Sequence, residues 1–247
     1  PSNSVIQAML SRKSIRKYRP DAPSDEAVRT VVRAGQQAPF AYQMGSLLLS
    51  RRSERNPFHA PLLFTICVDS HRLELILARR GWKMVECDLS VLLLGIQDAA
   101  LMAENMVLAA ERLGMGSCFL GDAPFRATAI AAEYELPARV FPLVQLAMGY
   151  PAEDVPPRPR YPLEFVLSED RYREPDEELI RRSMAAMDDG YLAQDYYRPR
   201  RLMIVLRPRS ASLRRAGNWL RACSEPLCWG RVIQELYGPS GTRASAV

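Results

Sequence analysis

Residues 87–121 read CDLSVLLLGIQDAALMAENMVLAAERLGMGSCFLG and carry the longest periodic pattern in the chain. Apolar side chains occupy nearly every side of a helix drawn over Cys87–Leu113, and Gly114 and Gly116 are typical of a helix C-terminus. A helix that is apolar on most faces must be buried on most faces. The pattern therefore predicts a central helix and favours its packing against a second copy of itself in a dimer. A short strand over Cys118–Leu120 follows.

The sequence on either side predicts short helices and buried strands without a regular βαβ repeat. Predicted helices cover Ser4–Leu10, Ser24–Gln37 (with Ser24 as the N-cap), Phe125–Tyr134 and Asp176–Tyr196. Predicted strands cover Leu47–Leu49, Leu62–Val68 and Phe141–Met148. Residues 151–162 hold five prolines and are predicted to be an extended linker, whereas 70–85 and the segment after 165 are predicted to be variable loops. This mixture predicts an α+β fold.

Composition excludes several classes of protein. The chain has 247 residues, of which 48% are hydrophobic and 25% charged, as in ordinary globular proteins. It contains no run of about 18 uninterrupted apolar residues, the length that a membrane helix needs. The first residues lack the basic-then-apolar layout of a signal peptide. We therefore expect a cytoplasmic protein with no membrane partner.

Histidine and cysteine usage argues against a metal site. The chain has two histidines, His59 and His71, and five cysteines without the dense spacing of a disulfide scaffold. Cys67 and Cys118 lie in apolar runs and are predicted to be small buried hydrophobic residues. We expect no bound metal.

Positive charge is concentrated at the end of the chain. The net charge is +5, but residues 198–247 carry ten arginines against Glu225 and Glu235, a balance of +8. Such a segment is able to bind nucleic acid or the extra phosphate of NADPH, and a solvated extension is the simplest interpretation. Because aromatic residues are not interleaved with these arginines, we expect no nucleic-acid partner.

Three segments have residue types suited to chemistry. Arg12–Lys17 is a basic cluster, Gly114–Asp122 is a glycine-containing turn, and Arg158 and Arg160 are closely spaced arginines in the proline-rich linker. Paired guanidinium donors suit phosphate oxygens. None of these segments has the spacing of a P-loop or a Rossmann glycine motif.

The order of these and neighbouring segments resembles one known family. The segments concerned are Arg12–Tyr18, Ala34–Pro39, Asp98–Asn105, Ala109–Gly116, Cys118–Gly121, Leu136–Pro137, Leu146–Pro151 and Arg158–Pro162. Together they resemble the FMN-dependent nitroreductase superfamily, within it the oxygen-insensitive NADPH nitroreductase and flavin reductase branch. The resemblance implies a mostly antiparallel central sheet flanked by helices. It implies an FMN-binding domain over 1–197 and a basic C-terminal extension over 198–247.

The resemblance also implies three groups of cofactor-binding residues, in a homodimer with FMN at the interface. The phosphate and ribityl chain would be held by Arg12, Lys13, Ser14, Arg16, Arg158 and Arg160. The isoalloxazine would lie along Phe119, Leu120 and Gly121. The edge of the flavin would be covered from the partner subunit by Pro39, Phe40, Ala41 and Gln43. Phe40 stands where the family commonly has serine, and the amide of Gln43 is able to replace that of the family's asparagine.

The implied function is an FMN-dependent oxidoreductase. It would take hydride from NAD(P)H and reduce a small acceptor, such as a nitroaromatic, a quinone or a flavin, by a ping-pong mechanism. No catalytic side chain is implied because the redox chemistry belongs to the flavin. The alternatives are other flavin chemistry on the same fold (dehalogenation, azoline oxidation or flavin cleavage) and a flavin-binding protein without catalysis.

Overall fold

The computed structural model describes residues 3–85 and 87–195, and within them the chain divides after Val155 into two compact units. The helices are α1 (Ser4–Ser11), α2 (Asp25–Gln36), α3 (Ser70–Arg79), α4 (Asp88–Arg112), α5 (Ala127–Glu133), α6 (Leu163–Val166) and α7 (Glu177–Leu192). The strands are β1 (Gly45–Ser50), β2 (Leu62–Asp69), β3 (Gly116–Leu120) and β4 (Val140–Gly149). The domain boundary predicted between 197 and 198 lies outside the described residues.

The first unit is built on a four-stranded antiparallel sheet in the order β1-β2-β4-β3. All eight residues of β2 are buried, which confirms the prediction from its continuous apolar run. β1 and β3 are the two edge strands, so the residues next to them lie at opposite edges of the sheet. The predicted α+β fold with a mostly antiparallel sheet is confirmed.

The long helix α4 packs on this sheet and on α2. Gly95 allows the close approach, because a Cβ atom there would lie 2.3 Å from Cγ1 of Val68 on β2. The Asn105 side chain donates to the carbonyl of Ala34 at 3.1 Å and ties α4 to α2. Within the described ranges α4 is the one helix long and apolar enough to cross a bilayer, but its packing in the core identifies it as a core helix.

Most of the elements predicted from the sequence are present. Ser24 caps α2, its hydroxyl accepting from the N–H of Ala27, and Gly114 ends α4 with a positive φ of 76°. Cys67 and Cys118 are buried free thiols, as predicted. The predicted helix over Phe125–Tyr134 instead begins with a 3₁₀ turn at Ala123–Arg126 before α5.

One expectation is wrong. Residues 70–79 form helix α3 rather than a loop, because Asp69, the last residue of β2, accepts from the N–H of Arg72 and begins a helix where the strand ends.

One side of α4 is uncovered within a single chain, since Leu89, Leu93 and Leu101 are 44–49% exposed. The packing of this helix against a second copy stays a prediction.

The second unit contains α6, α7 and the extended segment that precedes them. Asp176 caps α7 by accepting from the N–H of Leu179 at 2.8 Å. Gly190 lets α7 approach Pro159, since a Cβ at this glycine would lie 2.6 Å from Cβ of Pro159. The prolines of residues 151–162 exclude regular structure there, as predicted.

Candidate functional site

The basic segment Arg12–Tyr18 runs along the edge of the sheet formed by β3. Ser14 pairs in parallel with Ser117, and the N–H of Ile15 donates to the carbonyl of Ser117 at 2.9 Å. Ile15 is buried against Gly116, where any Cβ would lie 2.4 Å from Cγ1 of Ile15. Gly116 is therefore required for this close approach, and its prediction as a helix C-terminal signal is wrong.

Arg12, Ser14 and Arg16 lie along this segment, whose backbone is extended where Ser14 pairs with Ser117. Successive side chains of an extended chain point to opposite sides, and Ile15 fills the side that faces the core. No hydrogen bond joins the side chains of these three residues to any residue in 3–85 or 87–195. Two guanidinium forks and a hydroxyl are thus available as donors, and phosphate oxygens are acceptors that such a set suits.

Lys13 has a different environment from its neighbours. Its ammonium group forms an ion pair with Asp154, and this hydrogen bond holds the pKa of the Asp154 carboxyl below its usual value. Both groups are at least partly exposed, so the pair adds little to stability. The expected contact between Lys13 and a phosphate group stays a prediction.

Two buried oxygens close to this segment lack partners. Oγ of Ser117 and Oε1 of Glu111 are shielded from solvent and accept or donate no hydrogen bond within the described part of the chain. Burial raises the pKa of Glu111, while the positive charges of Arg12 and Lys13 oppose the rise. A buried polar atom without a partner costs about 1–3 kcal/mol.

Tyr18 anchors the end of the basic segment. Its hydroxyl lies 2.7 Å from the carbonyl of Ile15 and 3.2 Å from that of Ala147 on β4. Burial raises the pKa of this phenol far above its usual value, so it remains a neutral donor. The backbone pairs again at Tyr18 with Pro151. The segment is thus fixed to the sheet at both ends.

The C-terminal end of β3 presents an open surface next to the basic segment. Phe119 is 36% exposed, and Leu120 packs on a small cluster with Ala60, Leu63 and Ala147. A Cβ added to Gly121 would meet no atom within 4 Å. Since no atom in the described ranges packs against a Cβ at this position, the backbone at the end of β3 is open to the close approach of a flat ligand.

The loop at Pro39–Gln43 lies around a buried carboxylate on α4. Asp98 is 4% exposed, and its oxygens accept from the backbone N–H groups of Ala41 at 2.6 Å, Tyr42 at 3.1 Å and Met44 at 3.0 Å. Pro39, Phe40, Ala41 and Gln43 are themselves exposed. Asp98 thus positions the loop, a role that its isolated place among apolar helix residues signals and that the sequence analysis did not assign.

This loop and the basic segment are not brought together within one chain. The loop leads into β1 and the basic segment adjoins β3, so two strands and about 14 Å of sheet separate them. Along α4, Asp98 contacts the loop, whereas Glu111 faces Arg12 and Lys13. Thirteen residues of helix correspond to about 20 Å.

Arg158 and Arg160 belong to the second unit. Nη1 of Arg158 donates to the side-chain oxygen of Gln194 at 3.0 Å, and Nη1 of Arg160 donates to the carbonyls of Arg158 and Pro159 at 2.9 and 3.1 Å. Their expected share in a phosphate site stays a prediction.

Comparison with known proteins gives consistent results. The model of the nitroreductase family matches residues 9–69 and 93–150. An NADPH-dependent oxidoreductase of Staphylococcus haemolyticus is 30% identical over 188 residues, which cover 69% of this chain and 75% of that protein. The oxygen-insensitive NADPH nitroreductase of Salmonella typhimurium is 27% identical over 204 residues, with 77% and 83% covered. An FMN reductase (NADPH) of Bacillus subtilis is 28% identical over 214 residues, with 80% and 85% covered.

Comparison with solved structures gives a similar protein for the fold. The solved structure of a hypothetical oxidoreductase from Bacillus subtilis superimposes with a TM-score of 0.73 at 27% identity, covering 78% of this chain and 84% of that one. The residues matched by the family model contain the whole antiparallel sheet, β1, β2, β4 and β3.

Proposed function

The chain belongs to the nitroreductase family, and we propose that it is an FMN-dependent enzyme that takes hydride from NAD(P)H and reduces a small organic acceptor in a ping-pong cycle. As an NAD(P)H-dependent oxidoreductase it has the general activity of its relatives. Nitroaromatics, quinones and flavins are the acceptors that we propose.

The observation that carries the proposal is the set of free donors at the edge of β3. Arg12, Ser14 and Arg16 belong to the same short segment, and their side chains form no hydrogen bond within the described part of the chain. The terminal phosphate of FMN is a dianion and needs several donors, which this set supplies. The residues therefore fit the group, with Ser117 Oγ as a further polar atom beside it.

Bound FMN would supply the electron transfer itself, accepting hydride from the nicotinamide and later passing electrons to the acceptor. The role of the chain is to bind and orient. Phe119, Leu120 and Gly121 offer an apolar surface with exposed backbone, which suits the close approach of a flat ring. No side chain is assigned as nucleophile or general base.

A second copy of the chain would complete the site. Pro39, Phe40, Ala41 and Gln43 lie at the opposite edge of the sheet from the phosphate-binding side chains, so we propose that they contact the FMN of the partner subunit. The uncovered side of α4, with Leu89, Leu93 and Leu101, supports a homodimer because association would bury it. A cytoplasmic location and the absence of membrane and nucleic-acid partners stay predictions.

An absorption spectrum of the purified protein tests the proposal. We expect the visible bands of an oxidised flavin, bleached under anaerobic conditions by NADPH or NADH and restored by a nitroaromatic or a quinone. A protein that binds FMN but is not bleached by either nucleotide would contradict the reductase activity. A protein that cannot be loaded with FMN would contradict the whole proposal.

A further inference from the structure

Glu153 lies beside the basic segment and contacts its backbone rather than its side chains. Oε1 of Glu153 accepts from the N–H of Arg16 at 2.5 Å and from the N–H of Lys17 at 3.0 Å. Glu153 is partly buried and lies in the segment after β4, separated from the end of the strand at Gly149 by Tyr150, Pro151 and Ala152. One side chain thus connects the segment that follows β4 to the middle of the basic segment.

These two hydrogen bonds fill a gap in the pairing of the segment. Before the gap, Ser14 bridges Ser117, and after it Tyr18 bridges Pro151. At the gap the N–H groups of Arg16 and Lys17 both donate to Glu153, and the carbonyl of Lys17 accepts from the N–H of Ala152 at 2.9 Å. Because two successive N–H groups meet the same oxygen, the backbone turns at Arg16. A carboxylate that accepts two backbone N–H groups forms strong charge-assisted bonds, so Glu153 helps to hold this turn.

The charge of Glu153 has the wrong sign for a phosphate site. A carboxylate close to a dianion raises the electrostatic energy of the bound state. Its presence is understandable if geometry outweighs charge, because the direction of the Arg16 side chain depends on the backbone turn that Glu153 holds at this residue. The neighbouring Asp154 differs, since it pairs with the side chain of Lys13 and accepts from no backbone N–H group within residues 3–85 and 87–195.

We propose that Glu153 is a positioning residue for FMN binding: its carboxylate holds the backbone of Arg16 and Lys17, and thereby keeps Arg16 aligned with Arg12 and Ser14 toward the phosphate. This inference rests on the proposed function, because it assigns the phosphate site to FMN. Glu153 touches neither cofactor nor substrate and acts through the backbone alone.

Three conservative variants separate geometry from charge. Glu153→Asp keeps the charge but shortens the side chain by one methylene, so it cannot reach both amides. Glu153→Gln keeps the length and an accepting oxygen but removes the charge. Asp154→Asn is the matched control, because it removes a charge from the same turn and leaves the backbone contacts of Glu153 intact. Affinities for FMN and for riboflavin, which lacks the phosphate, are measured by flavin fluorescence quenching on the full chain.

We expect Glu153→Asp to weaken FMN binding about tenfold or more, as the loss of hydrogen bonds to a charged group does. Riboflavin binding should be unchanged. Glu153→Gln and Asp154→Asn should bind FMN at least as tightly as the wild type. Amide hydrogen exchange without flavin gives an independent measurement, in which Glu153→Asp should lose protection at residues 16 and 17 while Ile15 remains protected.

The inference is overturned if Glu153→Asp binds FMN like the wild type, or if Glu153→Gln binds FMN more weakly than Glu153→Asp does. It is also overturned if Glu153→Asp weakens riboflavin binding as much as FMN binding. An equal loss of FMN affinity in Asp154→Asn overturns it too, because the effect would then belong to the whole turn. Failure of the wild-type protein to bind FMN is a different result: it removes the proposed function, whereas hydrogen exchange still reports whether Glu153 fixes the segment.

Discussion

Arg16 and Lys17 are adjacent exposed cations, of which only Arg16 is proposed to bind the FMN phosphate, and this makes them a matched pair. If Arg16 binds the phosphate, Arg16→Gln should weaken FMN binding about 10- to 100-fold, the range expected for a hydrogen bond between charged groups. Lys17→Gln removes the same charge from the neighbouring residue and should change the affinity less than about threefold. Fluorescence titration at physiological ionic strength measures both.

Riboflavin is the control for this pair, because neither substitution should change its affinity. Equal losses of FMN affinity in the two variants would indicate general electrostatic attraction by the basic segment. They would contradict a phosphate site that uses Arg16 and not Lys17.

Cys67 and Cys87 are expected to react with alkylating agents at very different rates. Burial raises the pKa of Cys67 to about 12, whereas hydrogen bonds from Ser90 lower the pKa of the exposed Cys87 thiol. Only the thiolate reacts with alkylating agents, and it forms only as pH rises toward the pKa of each thiol. Near pH 8, iodoacetamide should therefore label Cys87 quickly and leave Cys67 unlabelled.

Peptide mass mapping after timed labelling measures the two rates. Cys87→Ser should abolish the fast reaction at that peptide without exposing Cys67. Labelling of Cys67 at a rate similar to that of Cys87 in the folded protein would contradict the burial of β2.

At the scale of elements, two glycines at the ends of β3 have different roles. Gly116→Ala should destabilise the protein by about 1–3 kcal/mol, since its Cβ would lie 2.4 Å from Ile15 and force the basic segment away from the strand. Gly121→Ala meets open space and should leave stability unchanged. It should instead weaken FMN binding, because the added methyl group occupies the surface along which the ring is proposed to lie.

Urea unfolding measures the stability of Gly116→Ala, and flavin titration measures the FMN affinity of Gly121→Ala. Retention of full FMN affinity in Gly121→Ala would contradict the placement of the isoalloxazine at the end of β3. Retention of full stability in Gly116→Ala would contradict the packing of Ile15.

The elements that could be predicted from the sequence are those whose pattern is local. The buried run of β2 and the all-round apolar helix α4 are both present, because burial of their side chains imposes the pattern directly. Helix α3 was not predicted, because its start depends on Asp69, a residue that also ends a strand.

The parts of the site that were not predicted from the sequence depend on contacts between residues far apart in the chain. Gly116 is next to Ile15, about 100 residues earlier in the chain, and Asp98 binds a loop more than 50 residues away. Neither partner can be found from neighbouring sequence. The candidate residues themselves came from a family resemblance, and the position of their segment along β3 became visible only in the sheet.

At the scale of the whole molecule, the edges of the sheet determine how many chains a site requires. The side chains proposed to bind the phosphate adjoin β3, and the exposed loop at Pro39–Gln43 precedes β1 at the other edge. If both hold one FMN, we expect that FMN to lie between two copies. A C2 dimer makes two identical sites in this way, each combining the basic segment of one chain with the loop of the other.

This arrangement predicts complementation between two defective chains. Arg16→Gln damages the phosphate-binding segment, and Phe40→Glu places a charge in the exposed loop without disturbing the core, because Phe40 is 55% exposed. Each homodimer should bind FMN poorly. In a heterodimer, isolated after co-expression with two different affinity tags, both defects fall in the same site and leave the other site intact. The heterodimer should therefore hold about one FMN, against two in the wild-type dimer. If each site came from a single chain, both sites of the heterodimer would be defective and no FMN binding would be recovered.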